Sequence, residues 1–185
     1  MEKTKTFKHK SIMWDDFFTN KIKGFSWRTK DYSFLDSVID VGNFEGTLLD
    51  VGCALGDGLL YLKDKCPKVT KFYGTDISNV AIKKCSINSK LKFANFFQHD
   101  ISEKLIEKYD TVICLQTVEH VSNPTEVIKN LVGITNKLLI VSAPYKNIRC
   151  DKDHMWSFDE NDFKDLMTFY CIAQKGRNIF WICKF

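Results

Sequence analysis

The chain is 185 residues long, 44% hydrophobic and 27% charged, with only 3 prolines. That is the length of one domain with enough apolar content for a core, which excludes a disordered, collagen-like or low-complexity chain. Lys and Arg exceed Asp and Glu by 27 to 23, a net +4 too small to argue for a nucleic-acid partner, and no apolar run approaches the roughly 18 residues of a membrane span.

Much of the positive charge falls early, in Lys3, Lys5, Lys8, Lys10, Lys21, Lys23, Arg28 and Lys30. No apolar stretch follows the first lysines, so this segment does not read as a secretory signal; a solvated, partly mobile terminus is expected. Residues 1–45 otherwise read as a helical cover, with Trp14, Phe17 and Phe18 on one face and Phe34, Leu35, Val38 and Ile39 on another. The 7 cysteines are odd in number, form no C-x-x-C pair and sit largely in apolar text. That pattern predicts reduced thiols packed as small hydrophobes, in a cytoplasmic protein.

From residue 46 to 185 apolar runs alternate with amphipathic stretches, which predicts an α/β domain. Thr47–Gly52 reads as a buried strand. Leu55, Leu59, Leu62 and Cys66 then make the stripe of a helix that Pro67 ends. Lys71–Asp76 is a second strand, and Ser78 caps a helix running to about Ile87. Leu91–Gln98 and Asp110–Gln116 are the third and fourth strands. Asn123 caps a helix with Pro124 at its first position, and Lys137–Ala143 is the fifth strand. Ser157 and Glu160 form a capping box that predicts a short helix through Met167. Phe169–Ala173 and Ile179–Phe185 close the chain as an antiparallel hairpin. The sum is five β/α units and a hairpin: a Rossmann-like seven-stranded sheet, mostly parallel, with helices on both faces.

The most informative stretch is Asp50-Val51-Gly52-Cys53-Ala54-Leu55-Gly56, where a buried strand meets a helix through a glycine turn. Glycines there let backbone approach a ligand, and the helix N-terminus offers free N–H groups. A dinucleotide fingerprint would need glycine at positions 52, 54 and 57; Ala54 and Asp57 stand at two of these and disfavour it. The stretch resembles the D-x-G-x-G-x-G motif of class I S-adenosylmethionine-dependent methyltransferases, with Ala54 where that family carries glycine. Asp76-Ile77, Asp100-Ile101 and the run Asp110–Val121, with its Glu119-His120-Val121, resemble three further motifs of the family in the same order. Together they span about residues 46–170.

The resemblance implies S-adenosylmethionine as cofactor and methyl transfer as the activity. It implies that Asp50, Gly52, Cys53, Ala54 and Gly56 form the cofactor loop. Asp76 would hold the ribose hydroxyls, Ile77 would pack on the adenine, and Asp100 with Ile101 would meet the adenine edge. Gln116 joins this set, and Arg28 would reach the methionine carboxylate. Plainer readings stand beside these: Asp76 and Asp100 as turn or helix caps, and Arg28 in a surface ion pair.

The acceptor should enter past the carboxyl ends of strands four and five. There His120 and His154 are the acid/base candidates, and Glu119, Tyr145 and Trp156 the acceptor-lining ones; each could equally be structural. A small-molecule or glycan acceptor and a site without metal are expected. Two alternatives remain open. Glu119-His120 with Asp153-His154 also resembles the metal-ligand pattern of small-RNA 2′-O-methyltransferases, with Gln116 where their first Glu stands. An inactive S-adenosylmethionine-binding domain is the other. No oligomer signature is legible.

Overall fold

A computed structural model describes residues 1–3, 11–21, 26–146 and 153–185. One sheet organises them, built from β1 (Glu45–Val51), β2 (Lys68–Asp76), β3 (Ala94–Gln98), β4 (Tyr109–Leu115), β5 (Thr135–Pro144), β6 (Cys171–Lys175) and β7 (Asn178–Lys184). The strand order is β3-β2-β1-β4-β5-β7-β6. The first five run parallel, and β7 lies antiparallel between β5 and β6. The order reverses between β1 and β4, which opens a crevice at their carboxyl ends.

The sheet is buried on both faces, and adjacent residues divide between them. Leu49, Val112 and Leu139 join Ile128 and Leu131 of α5 (Pro124–Ile134) and Trp181 in one core. Leu48, Ile113 and Ile140 join Leu59 and Leu62 of α3 (Asp57–Lys63) and Tyr32 and Leu35 of α2 (Ser26–Val38) in the other. This period of two explains why the central strands read as unbroken apolar text: helices cover both sides. Each of these fully buried aliphatic side chains contributes about 1.5–3 kcal/mol. The remaining helices are α1 (Ser11–Asp16), which continues as a π-turn over Phe17–Lys21, and α4 (Asn79–Ile87). The Ser78 and Asn123 caps form as expected, accepting from the Ala81 and Glu126 N–H groups.

Three expectations are corrected. Residues 158–167 are a series of turns rather than a helix. Ser157 sits in a two-residue ladder, and the Asp159 and Asp162 carboxylates accept from the Asn161 and Asp159 N–H groups, bonds that compete with a helix. Phe163 then takes φ +68° and turns its ring onto Trp181, 5.0 Å between centroids. No helix joins β3 to β4, because Asp100 closes a turn onto Ser102 and Glu103 and the chain continues extended. The outermost terminus is not merely solvated: Glu2–Lys3 pair antiparallel with Trp156–Ser157, and the Met1 amino group bonds the Asp162 carboxylate. Residues 4–10, with Lys5, Lys8 and Lys10, lie outside the described residues. Six cysteines are free thiols; Cys150 lies outside the described residues.

Candidate active site

A cleft of about 340 Å³ opens at the crevice, lined by Arg28, Gly52, Ala54, Asp76, Ile77, Asp100, Ile101, Gln116 and His120, among others. Its first wall is the glycine turn. Gly52 takes φ +72°, and a Cβ there would stand 2.3 Å from the Thr117 hydroxyl, so only glycine lets the β1 and β4 loops approach this closely. Ala54 takes φ +51°, a left-handed conformation in which its Cβ is strained. Glycine at this place in the related motif answers a backbone need that alanine meets here at a cost.

Asp76 holds the turn in that shape. One carboxylate oxygen accepts from the Ala54 N–H at 2.9 Å and the other from the Ser78 N–H at 2.9 Å. Burial pushes its pKa up, while those two bonds and Arg28 pull it down. The turn-capping reading is met, and Asp76 also lines the cleft. Asp100 behaves likewise, bonding the Ser102 N–H at 2.9 Å while lining the cleft.

Arg28 is buried and donates to the Gly52 and Leu115 carbonyls at 2.8 and 3.0 Å, clamping the ends of β1 and β4 together. Burial opposes its charge, but Tyr32, Asp50, Asp31 and Asp76 more than offset that and raise its pKa. It is thus a buried cation rather than part of a surface pair. Asp50, Cys53 and Gly56 do not line the cleft; they support the turn from behind. The Tyr32 hydroxyl donates to both Asp50 oxygens at 2.7 and 2.6 Å, and burial pushes the Asp50 pKa up to about 7 despite that bond and Arg28.

The second wall follows β4. Gln116 turns the chain with φ +48°, and its side chain donates to Ser142 at 3.1 Å. His120 lines the cleft, and its Nδ1 lies 2.9 Å from the Asp153 carbonyl. A carbonyl accepts, so Nδ1 carries the proton and a neutral ring keeps its lone pair on Nε2. Glu119 and His154 stand behind His120, outside the lining. The ligand atoms of all three lie within 4.8 Å of one another. Glu119 is 1% exposed, and burial pushes its pKa up to about 8.

Two acceptor-side residues serve elsewhere. Tyr145 bonds Glu160 at 2.8 Å away from the cleft, and Trp156 donates to the Val121 carbonyl at 2.7 Å, bracing the loop that carries His120. What the motifs did not reveal is the roof. Trp14, Phe17 and Phe18 line the cleft from above, and Trp14 meets the His120 ring edge-on at 5.0 Å. Asp15 pins this cover by accepting from the Ser78 hydroxyl at 2.6 Å and the Val80 N–H at 3.0 Å, at the start of α4. The aromatic cluster was visible in the sequence; its destination was not. His99 and Thr117 also line the cleft without a prior signal.

Residues 49–137 match a family model described as a methyltransferase domain. A search of curated proteins finds no significant match. Among solved structures, the magnesium protoporphyrin IX methyltransferase of Synechocystis PCC 6803 with bound SAH is 19% identical, covers 94% of this chain and 98% of its own, and gives a TM-score of 0.67. A SAM-dependent methyltransferase from Aquifex aeolicus is 17% identical with 96% and 99% covered and a TM-score of 0.69. A DhpI–SAH complex is 12% identical with 94% of each covered and a TM-score of 0.74. At these identities the likeness is one of fold.

Proposed function

The chain carries a methyltransferase domain with the class I S-adenosylmethionine-dependent fold, and on that premise we propose that it transfers a methyl group from S-adenosylmethionine to a small-molecule or glycan acceptor. One observation supports this reading above the others. The Asp76–Ala54 wall and the Thr117–His120 wall face one cleft under an aromatic roof.

The residues fit the cofactor. Gly52 leaves backbone space that no other residue would, and Asp76 presents a buried carboxylate already oriented by two N–H groups. Asp76 would take the ribose hydroxyls, Ile77 and Ile101 would sandwich the base, and Asp100 would accept from its edge. Arg28 would meet the methionine end. The cofactor, when bound, supplies an electrophilic methyl on a good leaving group, so the protein's task is to hold a nucleophile in line and exclude water. Trp14, Phe17 and Phe18 exclude water. His120, which lines the cleft, is the group that meets the acceptor and the acid/base candidate for one that arrives protonated.

A compact acceptor suits this site better than RNA. Arg28 is the one Lys or Arg among the described residues lining the cleft, and backbone carbonyls already occupy it. No helix of the described residues is long and apolar enough to cross a membrane, and a cytoplasmic site of action is part of the proposal. The test is transfer of labelled methyl from the cofactor to a panel of hydroxyl, amine and carboxylate small molecules, glycans and RNA oligonucleotides. Labelling of a small molecule or glycan is expected; labelling confined to RNA would overturn the acceptor assignment.

A further inference from the structure

The aromatic roof is held down by bonds that lie outside the cofactor motifs. α1 is 6 residues long and buries none of them, and the π-turn that follows buries Phe18 alone. Helices this short do not keep their shape in water without a partner, so the roof depends on where it docks. It docks on the start of α4. The Asp15 carboxylate accepts from the Ser78 hydroxyl at 2.6 Å and the Val80 N–H at 3.0 Å, and the Lys84 ammonium donates to the Phe18 carbonyl at 2.6 Å. The Val80 N–H lies in the first turn of α4, where the helix offers it no carbonyl. Asp15 thus completes the cap that Ser78 begins by accepting from the Ala81 N–H. Beside these bonds Phe18 packs with Ala54, Leu55 and Ala81, which seats the roof directly on the glycine turn.

Ser78 joins the roof to the cofactor wall. Its N–H donates to Asp76 and its hydroxyl to Asp15, so one residue carries both carboxylates. Trp14, Phe17 and Phe18 line the cleft, whereas Asp15 and Lys84 do not. We propose that Asp15 is a positioning residue that fastens this roof, and that the cofactor enters and leaves the cleft when the fastening lets go. The inference rests on the cofactor reading for what passes, and on the bonds to α4 for what moves. Because neither Asp15 nor Lys84 faces the ligand, weakening the fastening speeds entry and exit alike. A residue that held the cofactor directly would change affinity instead.

The experiment measures binding and release of S-adenosylhomocysteine by the full chain in stopped flow, beside amide exchange over residues 11–21 by mass spectrometry. In Asp15→Ala the association and dissociation rates should both rise by about 10–100-fold, the loss of charge-assisted bonds, with Kd nearly unchanged and faster exchange in the roof. Asp15→Asn keeps an oxygen for Ser78 and Val80 and should restore most of the wild-type rates. Lys84→Met should move both rates in the same direction as Asp15→Ala. A lower melting temperature in Asp15→Ala with both rates and roof exchange as in the wild type would reduce Asp15 to a helix cap and overturn the proposal. So would a faster dissociation matched by an equal rise in Kd, the mark of a direct contact. If the wild type binds no S-adenosylhomocysteine, the cofactor reading fails by itself, and roof exchange alone decides the fastening: faster exchange in Asp15→Ala supports it, equal exchange overturns it.

Discussion

Asp76, at the carboxyl end of β2, and Glu119, just past the end of β4, are buried carboxylates on either side of β1, and they face opposite situations. Each Asp76 oxygen accepts a backbone N–H, so its geometry is settled before any ligand arrives. Glu119 has one oxygen without a hydrogen bond among the described residues and a histidine 3.8 Å from the other. The first wall is preorganised to hold a constant partner. The second keeps unspent polar capacity where a variable partner must react. Removing the first residue should damage structure and binding together, whereas changing the second should damage chemistry while sparing structure.

The largest effect that would sharpen this contrast lies on the open side. His120→Ala is expected to lower turnover by about 10²–10⁴ with cofactor affinity unchanged. A fall in melting temperature with full activity per folded molecule would make His120 a structural residue and break the contrast.

Asp76→Ala should weaken cofactor binding by roughly 10- to 100-fold, the loss of about 1.5–3 kcal/mol of charge-assisted bonding. It should also lower the melting temperature, because the Ala54 and Ser78 N–H groups lose their acceptor. Glu119→Gln should melt at or above the wild type, since a neutral amide replaces a poorly bonded buried carboxyl. Equal destabilisation of the two variants in thermal unfolding would erase the distinction.

Asp50 tests the support behind the first wall through pH. Its folded pKa, about 7, lies above the ordinary 3.8, so the folded state binds the proton more tightly than the unfolded state does. That contribution is full below about pH 4 and is lost as pH rises toward 7, with a slope of at most about 1.4 kcal/mol per unit. Asp57 and Glu119, also raised by burial, add slopes of the same sign, so denaturant unfolding between pH 5 and 8 should show a shallower slope in Asp50→Asn than in the wild type; an equal slope in both would clear Asp50.

The smallest effect is at Ala54. With φ at +51°, glycine would relieve about 1–2 kcal/mol of left-handed strain and give back about 0.5–1 kcal/mol of chain entropy. Ala54→Gly should therefore melt within a few degrees of the wild type and bind cofactor as well or better. A large loss of affinity in calorimetry would show that the methyl packs productively.

The two walls also differ in how legible they were. The glycine turn, the Ser78 cap, Asp76 and the strands themselves lie in short stretches whose partners are close in sequence, so motif and periodicity located them. The His120 cluster depends on Asp153 and His154 returning from beyond β5, and the roof depends on where α1 docks. Residue types alone nominated His154 and the aromatic face, but not their destinations. Tyr145 and Trp156 were nominated for the acceptor and instead bond Glu160 and Val121. The short helix after Ser157 failed because side-chain bonds from Asp159 and Asp162 won over backbone ones.

Calorimetric titration of the full chain with S-adenosylmethionine and S-adenosylhomocysteine puts the cofactor cleft itself at stake. Wild type and Glu119→Gln should bind both at one site with equal affinity, and Asp76→Ala should bind them roughly 10- to 100-fold more weakly. No heat of binding from the folded wild type, or binding that Asp76→Ala leaves untouched, would contradict the account.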